Sequence, residues 1–230
     1  CYGDRVCETE KYGPVLTKAE YVYGDSVANY TPIYVKVGDI LDICTIEELA
    51  TKYGNGQWVR CLEEGKQEKE ICELTNVKTW TEKGWTQLYR VIRHRLASHK
   101  KMIRVLTRTG LVDVTDDHSL ILKSGEEISP KNVKIGTELL HYPLSESISS
   151  PNQVIQLDSI YNLVTSFSSM IKASHFVNYL NEHCISYYFQ TECGEPYICI
   201  GEKNYNPNKV IHMKEIAYDG YVYYLTTENH

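Results

Sequence analysis

From Thr31 to Thr115 the sequence is almost unbroken strand pattern punctuated by turn signals, which commits this part of the chain to a mainly β fold. IYVKV and ILDIC flank Gly38-Asp39, a two-residue hairpin signal with glycine first. TIEELATKYG then predicts one short helix: Thr45 and Glu48 form a capping box, and Gly54 suits the residue just beyond a helix end. QWVRCLEE, KEICELTNVKTW and WTQLYRVIRH read as strands, the last two turning at Glu82-Lys83-Gly84, with Trp80 and Trp85 set to fill the core or pair across strands. KMIRVLT and LVDVT close another hairpin about Arg108-Thr109-Gly110, and HSLILK follows.

After Leu140 the texture changes. PLSESISSPNQ is rich in Pro, Ser and Asn and reads as a linker spanning 142–154. Beyond it SSMIKASHFVNYLNEH has helical spacing, and ISYYFQ with PYICIG predicts a hairpin across TECGE, which together make a small α/β unit at 155–208. KVIHMKEIA and GYVYYLTT, within 209–230, return to strand character. Two hundred and thirty residues with 42% hydrophobic content are enough for one good core and a small second unit.

Charge and cysteine usage exclude several function classes. The net charge of −6 gives no general reason to expect nucleic acid. Arg90 to Arg108 is locally basic, yet no aromatic residues interleave with it, so it reads as a solvated strand face and no specific nucleic acid is expected as a partner. The eight cysteines are irregularly spaced in a chain too long to need staples, which predicts mostly reduced thiols. No CxxC pair occurs, and Cys193 with Cys199 makes a poor metal knuckle, so neither a metal nor a cofactor is expected. No run of 18 apolar residues and no secretory layout at CYGDRVCETE are present, which predicts an intracellular protein without a membrane partner; a monomer is expected.

The chemistry-bearing segment is VTDDHSLIL, where Thr115 and His118 form a Thr-x-x-His at the end of a strand. Alone, a His after an acidic pair is usually a turn residue. Its weight comes from two companions, YVYGDSVANYTPIYVK upstream and AYDGYVYYLTTENH downstream. In this order these three pieces resemble the splicing blocks of inteins inserted in family B DNA polymerases. Tyr23-Gly24-Asp25 fits the host side of such a junction and Ser26 to Ile33 the opening block, with Asn29-Tyr30 in place of the usual Gly-Asp. Val222 to Thr226 and His230 match the closing block, with Tyr224 where the family often carries an acid.

The resemblance implies the horseshoe-like, all-β Hint fold and autocatalytic protein splicing, a single-turnover reaction of the chain on itself. It divides the chain into a host flank at 1–25, an N-terminal Hint half at 26–141, the linker at 142–154, an endonuclease remnant at 155–208 and a C-terminal Hint part at 209–230. The first step would be an N-to-O acyl shift at Asp25-Ser26. A serine hydroxyl is a weak nucleophile and needs a base, strain or donors to the developing oxyanion. Thr115 supplies suitable donors, His118 can protonate the leaving amide, and Asp117 or Asp219 can substitute for the missing acid. The closing His-Asn of the family is expected to lie outside this sequence, so that a C-terminal intein peptide acting in trans joins the host polymerase polypeptide among the expected partners. Residues 166–205 resemble, more faintly, the trailing helix and hairpin of a LAGLIDADG-type homing endonuclease. Neither acidic helix motif is present, so no nuclease activity is expected, and residues 155–205 are expected to be dispensable for the chemistry.

Alternatives remain open at this point. Cys1 begins a cruder copy of the opening block and is a better nucleophile than Ser26. The chain could also be a splicing-inactive relic, an inert folded module, or a nucleic-acid-binding domain built on the basic run. A polymerase reading of Tyr23-Gly24-Asp25 is weak, because no palm context continues after Asp25.

Overall fold

The computed structural model describes residues 26–61, 68–81, 83–141, 162–163, 167–201 and 206–228. Cys1, Asp25, His230 and the 142–154 linker therefore lie outside the described residues.

The fold is mainly β, as its pattern predicts. The strands in chain order are β1 (Val27–Ala28), β2 (Pro32–Val37), β3 (Ile40–Thr45), β4 (Val59–Cys61), β5 (Lys69–Thr81) and β6 (Gly84–Arg95). After these come β7 (Met102–Thr107), β8 (Leu111–Thr115), β9 (Leu120–Ile121), β10 (Glu127–Ile128) and β11 (Asn162–Leu163). β12 (Tyr187–Glu192), β13 (Glu195–Ile200), β14 (Val210–Ile216) and β15 (Tyr221–Thr227) complete the set. The helices are α1 (Leu49–Lys52) and α2 (Phe167–Glu182).

Ten strands form one sheet in the order β14-β7-β8-β1-β15-β6-β5-β2-β3, with β4 on β5. The hairpins follow their turn chemistry. Val37 pairs with Ile40 around Gly38, whose φ of 58° is the left-handed value such a turn requires. β5 and β6 are long, and a register shift between Glu73 and Val77 kinks the pair. Asn76 takes up the left-handed conformation there, with φ 56°. Trp80 and Trp85 pair across these strands edge to face, 5.3 Å apart, half-buried rather than central to the core.

The capping box forms as the sequence predicts. The Thr45 amide donates to Glu48 Oε2 at 2.9 Å, and the Glu48 amide donates to Thr45 Oγ1 at 3.3 Å. Gly54, in contrast, serves a different need from the helix-end conformation expected of it. It bridges to Leu74 of β5, and a Cβ there would lie 2.8 Å from the carbonyl oxygens of Ala50 and Glu73 and 2.9 Å from Cys72 Sγ. Two of those three neighbours are backbone and cannot swing away. Gly54→Ala is therefore expected to cost about 1–3 kcal/mol, the usual scale for overpacking. A thermal melt unchanged from the parent would contradict it.

The main core surrounds Val35, Leu49, Val77, Leu88 and Tyr223, and another surrounds Val105, Val114, Leu139 and Val210. Val27 packs against both. β1 thus runs through the middle of the domain, paired on one side with β8 and on the other with β15. α2, β12 and β13 form the small α/β unit. Met170, Ala173, Phe176 and Leu180 of α2 lie on one helical face and close over Phe189, Ile198 and the fully buried Leu106 of β7.

Candidate active site

Ser26 sits at the entrance to β1 and is fully buried. Its carbonyl accepts two hydrogen bonds from Thr115, one from the amide at 2.9 Å and one from Oγ1 at 3.3 Å. Thr115 is the last residue of β8, so the Thr-x-x-His does lie at a strand end. Its donors grip the carbonyl of Ser26 itself, one residue beyond the Asp25 carbonyl on which the sequence reading placed them.

The serine hydroxyl has a partner that sequence reasoning missed. Ser26 Oγ lies 3.1 Å from Nε2 of His94, a buried residue of β6. Nδ1 of the same ring is 3.0 Å from the Arg95 carbonyl oxygen. A carbonyl can only accept, so Nδ1 carries the proton and Nε2 presents its lone pair to the serine O–H. Burial, the main cause, lowers the pKa of His94 below its ordinary 6.5, and the Lys69 ammonium adds to the effect. The imidazole is thus neutral at pH 7 and able to accept a proton.

Sheet register explains how residues so distant in sequence meet. Val27 pairs with Tyr223 and Ala28 with Val222, and Val222 pairs with His94 on the far side of β15. Ala28, Val222 and His94 therefore form one row across three strands. Ser26 shares the face of Ala28 because strand side chains alternate with period two. Continuing the β1 register by one residue sets Ser26 beside Tyr224 on one side and Thr115 on the other.

The remaining candidates occupy the rim. The His118 amide donates to the Thr115 carbonyl at 3.0 Å, which closes the turn and keeps the imidazole within three residues of the Ser26 clamp. Asp117 is engaged in a largely buried ion pair with Lys100. Asp219 is exposed on the loop before β15. Tyr224 accepts a hydrogen bond from Lys69 Nζ at 2.8 Å, and its ring lies 6.3 Å from that of His94.

The Asn29-Tyr30 departure is held by its own contacts. Asn29 Nδ2 donates to Glu47 at 2.9 Å, and Glu47 also accepts from the Tyr223 hydroxyl at 3.1 Å. The Asn29 amide donates to the Tyr218 hydroxyl at 3.1 Å. The Tyr30 hydroxyl donates to Asp113 at 2.6 Å, and burial beside that carboxylate raises its pKa.

The basic run is not the solvated face it was expected to be. Arg104 makes a two-pronged ion pair with the fully buried Asp113. Arg93 pairs with Glu70 at 2.6 Å and stacks on Trp58 and Tyr221. Arg108 Nη1 donates to the Phe189 carbonyl at 3.0 Å. These cations serve the fold.

The six described cysteines are unpaired, and no cluster of three or more His, Cys, Asp or Glu that could hold a metal lies among the described residues. No described helix is long and apolar enough to cross a membrane.

By fold and site this is a mainly β protein whose candidate nucleophile is buried where three strands meet. No protein-family model matches the chain. In sequence it is similar to DNA polymerases: 43% identical over 136 residues to one from Acanthamoeba polyphaga mimivirus, covering 56% of this chain. One from Thermococcus hydrothermalis is 31% identical over 149 residues, covering 58%. In both cases the match spans only 8% of the polymerase. In structure it is similar to inteins: the Pab PolII intein, with 16% identity and TM-score 0.48, over 89% of this chain and 92% of that one. The transcription factor IIB Mvu mini-intein has 15% identity and TM-score 0.47, over 88% and 91%.

Proposed function

We propose that this chain is a protein-splicing domain, an intein of a DNA polymerase, and that it opens with an N-to-O acyl shift across Asp25–Ser26. The observation that carries the reading is the contact between Ser26 Oγ and neutral His94 Nε2. A buried serine whose hydroxyl points at a proton-accepting imidazole is the arrangement that nucleophilic attack needs.

In this reading Ser26 Oγ attacks the Asp25 carbonyl carbon as its proton passes to His94 Nε2. The tetrahedral intermediate then expels the Ser26 nitrogen, which takes a proton from His118 or from the His94 imidazolium. An ester replaces an amide, and no proton is gained or lost in the balance when His94 is the donor. Amide and hydroxyl belong to one residue, so proximity lowers the barrier. Thr115 restrains the Ser26 carbonyl and so limits rotation of the attacking residue. His230 would act at the later, C-terminal step. Asp117 is assigned to holding Lys100 rather than to proton transfer.

The host flank is read as a family B DNA polymerase, following the relatives' names and the Tyr23-Gly24-Asp25 fit. The Ser26 contacts favour that residue over Cys1 as first nucleophile. The internal engagement of Arg93, Arg104 and Arg108 disfavours nucleic-acid binding.

The test uses the 230-residue chain and neutral hydroxylamine, which cleaves esters far faster than amides. Release of residues 1–25, with Ser26 as the new amino terminus by mass spectrometry, is the expected result. A cut at Asn55-Gly56, another hydroxylamine-sensitive bond, would differ in mass. An uncut Asp25–Ser26 bond would overturn the assignment and favour the inert relic.

A further inference from the structure

We infer that Asn55–Gly56 is a site of spontaneous backbone modification gated by the turn after α1: its succinimide forms only once the Gly56 amide leaves the Ala50 carbonyl. The pair is the one Asn-Gly in the chain, and both residues are exposed. Glycine carries no Cβ to obstruct its own nitrogen. In the reaction the Gly56 nitrogen bonds to Asn55 Cγ, and the carboxamide nitrogen leaves as ammonia, taking the Gly56 amide proton. Water then opens the ring at either carbonyl. One opening leaves aspartate, and the other leaves isoaspartate, with the backbone rerouted through the side chain. Water is the sole co-reactant.

The fold holds both reacting groups away from that geometry. The Gly56 amide, the nucleophile, donates to the Ala50 carbonyl at 2.9 Å. The Asn55 carboxamide is turned past Gly56: its Oδ1 accepts from the Gln57 amide at 2.9 Å and lies 3.7 Å from Cys72 Sγ. Attack on Cγ requires the Gly56 nitrogen to release its proton, which a hydrogen bond to a buried carbonyl opposes. The turn is in turn fastened to β5. The Thr75 amide donates to the Tyr53 carbonyl at 3.1 Å, and Gly54 bridges to Leu74. The isoaspartate product does not fit the same turn. It adds a backbone methylene between Gly54, where even a Cβ would meet two carbonyls at 2.8 Å, and Gly56, whose amide must reach Ala50. Once formed, isoaspartate therefore keeps the turn open.

The experiment follows Asn55 in the full chain at mildly alkaline pH, reading by mass spectrometry the ammonia lost and water gained, with a peptide of residues 52–59 as the ungated reference. Two hydrogen bonds must open first, so the folded chain should react about 10–100-fold more slowly than the peptide. Glu48→Ala removes the carboxylate that accepts from the Thr45 amide and pairs with Lys52, and by loosening α1 it should raise the folded rate about three- to tenfold. Neutral hydroxylamine supplies a second readout, because it cleaves the succinimide: the cut between Asn55 and Gly56 should be scarce in the folded chain and abundant in urea. Chain modified at Asn55 should melt below the parent. Equal rates in chain and peptide would overturn the gate, and so would a rate that rises only with the global urea transition, since the whole β body would then be protecting the bond. These outcomes are read at a bond far from Asp25–Ser26, so they stand or fall apart from the splicing reading.

Discussion

Ser26→Ala is expected to abolish hydroxylamine-dependent release of residues 1–25, and His94→Ala to slow it by about 10²–10⁴-fold, the range for losing a positioned base. The difference follows from the chemistry. Without Ser26 Oγ no ester can form, whereas without His94 the hydroxyl remains in place and must lose its proton to water. His94 is buried, so the alanine variant leaves a space beside a serine hydroxyl stripped of its partner; circular dichroism must first show that the β fold persists. The pH profile makes the assignment sharper. Burial lowers the His94 pKa below 6.5, so the rate should stay level as pH falls to about 6.5 and decline only below it. The same shift has a stability consequence of the same sign. Below about 6.5 the unfolded chain takes up a proton that folded His94 resists, so stability falls with acidification. His118→Ala should retain the Ser26–His94 contact and impair the departure of the amide nitrogen instead. If His94→Ala released the fragment at the parent's rate, the Ser26–His94 contact would be structural and His118 would be the stronger candidate base.

What made Ser26, Thr115 and His118 candidates was local: each lies in a short segment whose residues carry the resemblance by themselves. The capping box at Thr45 and Glu48 and the glycine turn at Gly38 were legible for the same reason, since both interactions close within a few residues. His94 was not. Its one sequence signal is a broken alternation: Thr86, Leu88, Ile92 and His94 are buried on β6, but Arg90 of the same parity has its side chain 41% exposed and Val91 of the opposite parity is fully buried. Even that signal names no partner, because Ser26 lies two strands away and 68 residues earlier. The register that joins them depends on β15 inserting between β1 and β6, a crossover no local pattern encodes. The basic run failed for a related reason. Arg104 and Asp113 face each other only through the β7–β8 hairpin, and Arg93 finds Trp58 from outside its own hairpin.

Deleting residues 155–205, with a short linker from 150 to 206, is expected to destabilise the domain rather than leave it unaffected. The sequence reading treated this α/β unit as dispensable because it resembles an inserted remnant. Its packing argues otherwise. Leu106 of β7 is completely buried in the cluster made with Met170, Phe176, Leu180, Phe189 and Ile198. Tyr30, Leu111 and Ile211 are partly buried against the same cluster. Full burial of a large apolar side chain contributes about 1.5–3 kcal/mol, so uncovering Leu106 and these three neighbours should cost roughly 3–6 kcal/mol, against a typical total of about 5–15. The backbone also loses partners, since the Phe189 amide donates to the Arg108 carbonyl at 2.8 Å, at the tip of the β7–β8 hairpin. For a remainder of this size the loss corresponds to a melting temperature lower by about 10–20 °C. The effect should reach the site as well. Tyr30 lies four residues from Ser26, and its hydroxyl bonds the Asp113 carboxylate that pairs with Arg104. Release of residues 1–25 should therefore weaken at temperatures where the parent is still active, and recover on cooling. A deletion variant with the parent's melting temperature would show that the β body closes its own core and that α2, β12 and β13 merely rest on it.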